Sequence, residues 1–162
     1  MIRSHKGMAK HIFQFNPDDK LDVRKLLKIM KPQFAPVGNI KRQCEEIVMA
    51  KLIAFLKAVE DGTLLQDLED EGLTLTEEEK KYVPLITPSH ILMFASGAAN
   101  VPSVGFNPTP SIVFVHDEQK NIPCAQTCSN ILYLYVNKHT KEYSLAHNVL
   151  TALMNGGVFS KI

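Results

Sequence analysis

The chain has 162 residues, 45% of them hydrophobic, with a net charge of +1 and no tryptophan. That length and apolar share allow one compact domain with a buried core and a short attached piece. Near-neutral charge, with Lys and Arg scattered among acids over 6–10 and 20–31, argues against a nucleic-acid surface, and no run approaches the ~18 apolar residues of a membrane span.

The start, Met1-Ile2-Arg3-Ser4-His5-Lys6, lacks the apolar centre of a secretion signal. Three cysteines, an odd number, make a full disulfide framework an unsuitable reading. A reducing, intracellular compartment is expected, with cytoplasm and nucleus equally open.

In chain order, Asn16-Pro17-Asp18-Asp19 reads as a turn into a helix carrying Leu21, Leu26, Leu27 and Met30. Pro32 ends that helix, and Lys31 to Gly38, with two prolines and a glycine, reads as a hinge. From Ile40 to Val59 the apolar residues Ile40, Cys44, Ile47, Val48, Leu52, Phe55, Leu56 and Val59 recur at steps of three and four, the mark of an amphipathic helix. Cys44 lies on that stripe as a small buried hydrophobe.

Glu60 to Glu79 is an acidic stretch with embedded leucines, read as a solvated excursion that would otherwise suit a basic partner. Thr76-Glu77-Glu78-Glu79 fits a capping box, and Thr87-Pro88 a helix start that runs through Phe94 and stops at Gly97. Ala98 to Pro110 is loop. Ile112 to Val115 and Ile131 to Val136 are strand candidates, the second with Tyr133 and Tyr135 on one face and Leu132, Leu134 and Val136 on the other. Thr140 is the expected cap of a last helix over Lys141 to Asn155, whose inner face is Leu145, Ala146, Val149, Leu150 and Leu153. The fold class is mixed α/β: helices packed around a small sheet of two to four short strands.

For chemistry, the chain offers no phosphate loop, no dinucleotide fingerprint and no serine elbow. The six histidines never pair at ligand spacing, and Cys124 with Cys128 would need two further ligands to hold zinc, so no metal and no cofactor is expected. A disulfide between those two would be a redox accident or switch. A cysteine protease lacks a recognisable His–Asn or His–Asp partner for Cys128.

What remains is Asn121 to Asn130, small and polar between two apolar strands. A cysteine there is displayed on a loop held by rigid elements. Thioester exchange needs no strong base, because the leaving group is itself a thiolate.

The run Ile122-Pro123-Cys124-Ala125-Gln126-Thr127-Cys128-Ser129-Asn130 resembles the Leu-Pro-x-x-His-Thr-Cys-Phe-Asn segment that holds the active cysteine of HECT-type ubiquitin ligases. Phe94-Ala95-Ser96-Gly97, Val101-Pro102 and Gly105-Phe106 resemble a second landmark of that family, and Phe159, fourth from the end, resembles a third. The resemblance spans Gly38 to Ile162, the family's C-terminal catalytic lobe. Residues 1–37 then read as a remnant of the preceding N-terminal lobe with the hinge, and 38–162 as the C-terminal lobe.

The resemblance implies that Cys128 is the catalytic nucleophile. It takes ubiquitin as a thioester from a conjugating enzyme and passes it to a substrate lysine. Pro123, Gln126, Thr127 and Asn130 would support the loop, and Phe159 would place the C-terminal tail. The implied partners are ubiquitin, a conjugating enzyme docked on the large N-terminal lobe, and protein substrates, with neither nucleic acid nor membrane. A piece holding only the C-terminal lobe would charge weakly or not at all, for want of the contacts that concentrate the donor thioester.

The chain departs from the family pattern in three places. Gln126 stands where His is usual, Ser129 stands where Phe is usual, and the excursion from Glu60 to Pro84 is longer than the usual link. Gln cannot titrate, and the alternative function is a catalytically inactive HECT-like lobe that binds ubiquitin or another protein without transfer.

Overall fold

The computed structural model describes residues 20–157. The turn expected at Asn16–Asp19 and the tail residue Phe159 lie outside the described residues.

Among the described residues seven helices surround one four-stranded sheet. The helices are α1 (Val23–Ile29), α2 (Ile40–Asp61), α3 (Leu64–Asp70), α4 (Glu77–Tyr82), α5 (Pro88–Ser96), α6 (Lys138–Glu142) and α7 (Ala146–Asn155). The strands are β1 (Lys31–Gln33), β2 (Ser111–His116), β3 (Cys124–Gln126) and β4 (Ile131–Val136), ordered β1-β2-β4-β3. β1, β2 and β4 run parallel, and β3 returns antiparallel against β4. The mixed α/β reading holds.

Alternation along the central strands decides which face is inner. Ile112 and Phe114 of β2 stand in register with Leu132 and Leu134 of β4, and all four are buried. α2, α5 and α6 pack against β4, and α7 seats on α2 and α5. The core therefore joins Val48, Leu52 and Leu56 of α2, Ile91 and Leu92 of α5, and Leu150 and Leu153 of α7 to the sheet.

α2 departs from the expected stripe. Its buried row is Glu45, Val48, Met49, Leu52, Phe55 and Leu56, while Ile40 is 78% exposed and Ile47 45%. The inner row begins with a carboxylate because that carboxylate is used. Glu45 Oε2 accepts the Ala35 amide at 2.7 Å, and His116 Nε2 stands 2.9 Å from Oε1. A buried charge needs such partners. Arg42 lies over the Phe34 ring, which stacks on Phe114, so the segment after β1 is fastened to α2 and the sheet.

The stretch read as a hinge thus opens with an edge strand. Lys31–Gln33 pairs with Ser111–Val113, and Pro32 is tolerated because an edge strand has one unpaired side. α1 buries Val23, Leu26 and nearby Met30 in the common core, so the residues on either side of position 37 share one core and one sheet.

The acidic excursion is built rather than loose. Leu64, Leu68 and Leu75 are buried. At the start of α4, Thr76 and Glu79 form the expected reciprocal bonds: Thr76 N donates to Glu79 Oε2 at 2.8 Å, and Glu79 N to Thr76 Oγ1 at 3.2 Å. At the start of α5, the Thr87 amide donates to His90 Nδ1 at 2.9 Å, and Gly97 ends the helix at φ 77°.

The last helix needs correction. The expected helix Lys141 to Asn155 is two helices, α6 and α7, broken at Tyr143–Leu145. Thr140 caps neither end of α7. It sits inside α6, whose cap is Asn137, with Thr140 N donating to Asn137 Oδ1 and Asn137 N to Thr140 Oγ1. Carbonyls left without helical partners by the break, those of Lys141 and Tyr143, accept from the Lys51 ammonium.

Candidate active site

The cysteine turn is set between two strands by one proline and one asparagine. Pro123 precedes β3, is buried, and lines a small apolar cavity with Phe94, Leu132 and Val149. A proline at the start of an edge strand forfeits no ladder bond. β3 then pairs Cys124 with Tyr133, Ala125 with Leu132 and Gln126 with Ile131. Residues Thr127–Ser129 make one 3-10 turn, closed where Asn130 N donates to Thr127 O at 3.3 Å.

Asn130 takes the left-handed conformation, φ 54° and ψ 43°, which Asn tolerates better than most residues. Its side-chain amide donates to Pro108 O at 2.7 Å, and its carbonyl accepts Ser111 N at 3.0 Å. It is 8% exposed. Asn130 therefore joins the cysteine turn to the end of the 98–110 loop and to the start of β2 and β4 at once.

Cys128 occupies the middle of the turn and is exposed. Its Sγ has one polar neighbour among the described residues, Ser129 Oγ at 4.0 Å, a weak contact. The imidazoles of His90, His116 and His147 are engaged with Thr87, Glu45 and Glu79. The thiol is thus accessible, and these three histidines are committed away from it. Thr127 is also exposed, and its Cβ lies beside Gly97 at the end of α5, 4.0 Å from where a Gly97 side chain would begin. Ser129, the last residue of the turn, is half-buried.

Gln126 is exposed, and its Oε1 accepts from Tyr133 OH at 3.0 Å. One row back on the same face, Cys124 Sγ stands 3.2 Å from Tyr135 OH. That hydrogen bond to Cys124, with burial, pushes the Tyr135 phenol up to about 12, so the hydroxyl keeps its proton at neutral pH. The two cysteines therefore differ in surroundings: Cys124 is tied to a tyrosine across the strand pair, and Cys128 is at the turn.

Of the residues expected to form the site, Pro123, Gln126, Thr127, Cys128 and Asn130 fall on this one strand-and-turn unit. Phe159 cannot be placed, being outside the described residues. Sequence reasoning missed three contributors. Tyr133 and Tyr135 hold Gln126 and Cys124, which follows only from the antiparallel register. Asn137, 2% exposed, sets its Nδ2 within 2.9 Å of three acceptors, Asp117 O, Lys120 O and Asn121 Oδ1, which share its two hydrogens, and so shapes the loop that feeds β3. Its signal in the sequence was the Asn-x-x-Thr spacing to Thr140, which fits a cap.

Residues 87–161 match the model of the HECT-domain (ubiquitin-transferase) family. Over 90 residues, 56% of this chain, the sequence is 31% identical to the G2/M phase-specific E3 ubiquitin-protein ligase of Homo sapiens and to that of Macaca fascicularis. The aligned part is 10% of each relative, so the match covers about a tenth of their length.

Proposed function

We propose, taking residues 87–161 as a HECT-type segment, that the protein is a ubiquitin-protein transferase whose Cys128 carries ubiquitin as a thioester. The observation that carries this reading is the exposed Cys128 thiol at the centre of a turn pinned by Asn130 and Pro123, within the residues that match the family.

The chemistry is two acyl transfers. The Cys128 thiolate attacks the carbonyl carbon of the thioester brought by a conjugating enzyme, and a tetrahedral adduct forms. That adduct collapses with loss of the donor's thiolate, leaving ubiquitin on Cys128. A substrate lysine amine then attacks the new thioester, gives up a proton, and the Cys128 thiolate leaves as the isopeptide bond forms. Splitting the transfer in this way is covalent catalysis. No histidine is needed at Gln126 for the first step, since both the entering and the leaving group are thiolates.

Thr127 and Asn130 hold the turn, Gln126 is held by Tyr133, and Phe159 places the tail in this reading. The conjugating enzyme docks on a preceding lobe, and protein lysines are the acceptors. Free Cys44, Cys124 and Cys128 support a reducing, intracellular setting.

A second reading keeps the fold without transfer: a lobe that binds ubiquitin or another protein. The engagement of Gln126 by Tyr133, and the commitment of His90, His116 and His147 elsewhere, favour it.

The experiment mixes the protein, joined to its natural upstream sequence, with activating enzyme, conjugating enzyme and ubiquitin. A thiol-reducible ubiquitin adduct is expected, absent in Cys128→Ala and replaced by a reductant-resistant ester in Cys128→Ser. An adduct that persists in Cys128→Ala, or none in the wild type, sinks the transfer reading. Ubiquitin binding without an adduct would favour the second.

A further inference from the structure

Away from the cysteine turn, α2, α3 and the α6–α7 break enclose an open groove of about 370 Å³. None of its lining residues belongs to β3, β4 or the 127–129 turn. Its floor is apolar: Ala54, Phe55 and Ala58 from α2, Leu64 from α3, Leu145 from the break and Ala146 from the start of α7. Its rim carries Asp67, Glu71 and Glu142 against one ammonium, Lys51. That ammonium donates to the carbonyls of Lys141 and Tyr143 and also feels the charges of Glu71 and Glu142, so it offsets one of the three carboxylates. Asp67 takes a hydroxyl bond from Thr63 at 3.0 Å, while Glu71 and Glu142 are exposed and form no ion pair among the described residues.

We propose that this groove is a docking site for a basic segment of a partner protein: an apolar side chain seats on the Phe55–Ala58–Leu64 floor, and flanking lysines or arginines meet Glu71 and Glu142. Two features meet here. The floor lets an incoming apolar side chain leave water, which is the favourable part of most protein association. The rim selects charge, since its three carboxylates, Asp67, Glu71 and Glu142, outnumber its one cation, Lys51. Complementary charge at a rim steers and orients a partner more than it tightens binding, so both parts are required. An open groove suits a chain segment lying along it better than an enclosed small molecule. The acidic excursion thereby has a use. Its buried leucines, Leu64 and Leu68, dock α3 on α2, and docking brings Asp67 and Glu71 to the groove's edge.

The test is fluorescence anisotropy at about 50 mM salt with the whole chain and a labelled peptide, Lys-Arg-Leu-Phe-Lys-Lys. Three variants are compared with the wild type: Glu71→Lys with Glu142→Lys, Ala54→Trp, and Cys128→Ala. Ala54 is exposed at the groove, so tryptophan there fills it without entering the core. Circular dichroism checks that each variant is folded.

Saturable binding is expected, weakened about tenfold or more by the double reversal and by Ala54→Trp, and unchanged in Cys128→Ala. A peptide with alanine in place of Leu-Phe should also bind about tenfold more weakly. Absence of binding to the wild type overturns the proposal. So does binding that falls with the charge reversals but ignores both Ala54→Trp and the alanine peptide, because that is a diffuse acidic surface and no groove. The Cys128→Ala arm keeps this result separate from the transfer reading.

Discussion

Two segments of this chain look alike in composition and are stabilised by different means. Residues 60–79 and 121–130 are both polar, and both interrupt apolar elements. The first is held by apolar burial: Leu64, Leu68 and Leu75 reach the core, and a capping box ends the excursion. The second buries Pro123 and Asn130 and leaves Thr127 and Cys128 in solvent. A few leucines are enough to fold an acidic stretch onto a domain. The turn proposed to react does the reverse: it is rigid without burying the Cys128 thiol, and it obtains this from backbone geometry and hydrogen bonds.

The sharpest way to break the comparison is at Leu68, which is fully buried. Leu68→Ala should cost about 2–5 kcal/mol, from lost transfer energy and the cavity left behind. Urea denaturation measures it. Labelling of Cys128 by iodoacetamide under native conditions should keep its wild-type rate, since the turn does not depend on the excursion. A changed rate would mean that the two segments are coupled.

Next comes Asn130, the corresponding residue of the turn. Asn130→Ala loses the bond to Pro108 O and places at φ 54° a residue that tolerates the left-handed region less well than Asn. The expected cost is about 2–3 kcal/mol, from an unsatisfied carbonyl and left-handed strain together. Asn130→Gly removes the bond but tolerates the conformation, so it should be the milder by about 1 kcal/mol. Equal costs for both would show that the bond alone holds the turn. Either change should alter Cys128 labelling, which Leu68→Ala should not.

These two residues also show what a sequence can and cannot say. α2, α5, β2 and β4 were legible because their apolar residues repeat at the period of a helix or strand. The site's linear part, from Pro123 to Asn130, was legible because its residues are contiguous. β1 was not, being three residues with a proline that become a strand only by pairing with β2. The same is true of β3. The split between α6 and α7 was hidden because their side chains read through it as one helix, while the break is satisfied by Lys51, far away in sequence. The Glu45 bonds to Ala35 and His116 were hidden for the same reason: a buried carboxylate on a helical stripe has no local signature.

A smaller effect is expected at the end of the excursion. Thr76→Ala removes half of the capping box and should cost about 1 kcal/mol, read as a lower urea midpoint. Glu79 adds a pH dependence. Burial alone would raise its pKa, but the Thr76 amide and hydroxyl and the His147 ring together hold it below its ordinary value of 4.5. A carboxylate with a lowered folded pKa contributes stability above its unfolded pKa and loses it as pH falls through the folded one. The stability gap between wild type and Glu79→Gln should therefore be full near pH 6 and shrink steadily below pH 4.5. A gap independent of pH would show that the carboxylate's charge has no part in holding α4 to α7.

The smallest effect should fall on the residue that matters most for the proposed chemistry. Cys128 is exposed, and its nearest polar contact, Ser129 Oγ at 4.0 Å, is too long to hold the turn. Cys128→Ser should change stability by less than about 0.5 kcal/mol, as for surface substitutions that touch no special feature. A loss as large as that of Asn130→Ala would mean that the thiol is part of the turn's support. The two residues stand two positions apart, yet one is predicted to carry the turn's stability and the other only its chemistry. In the proposed transfer, such a separation leaves Cys128 free to carry a bulky thioester without unfolding the loop that presents it.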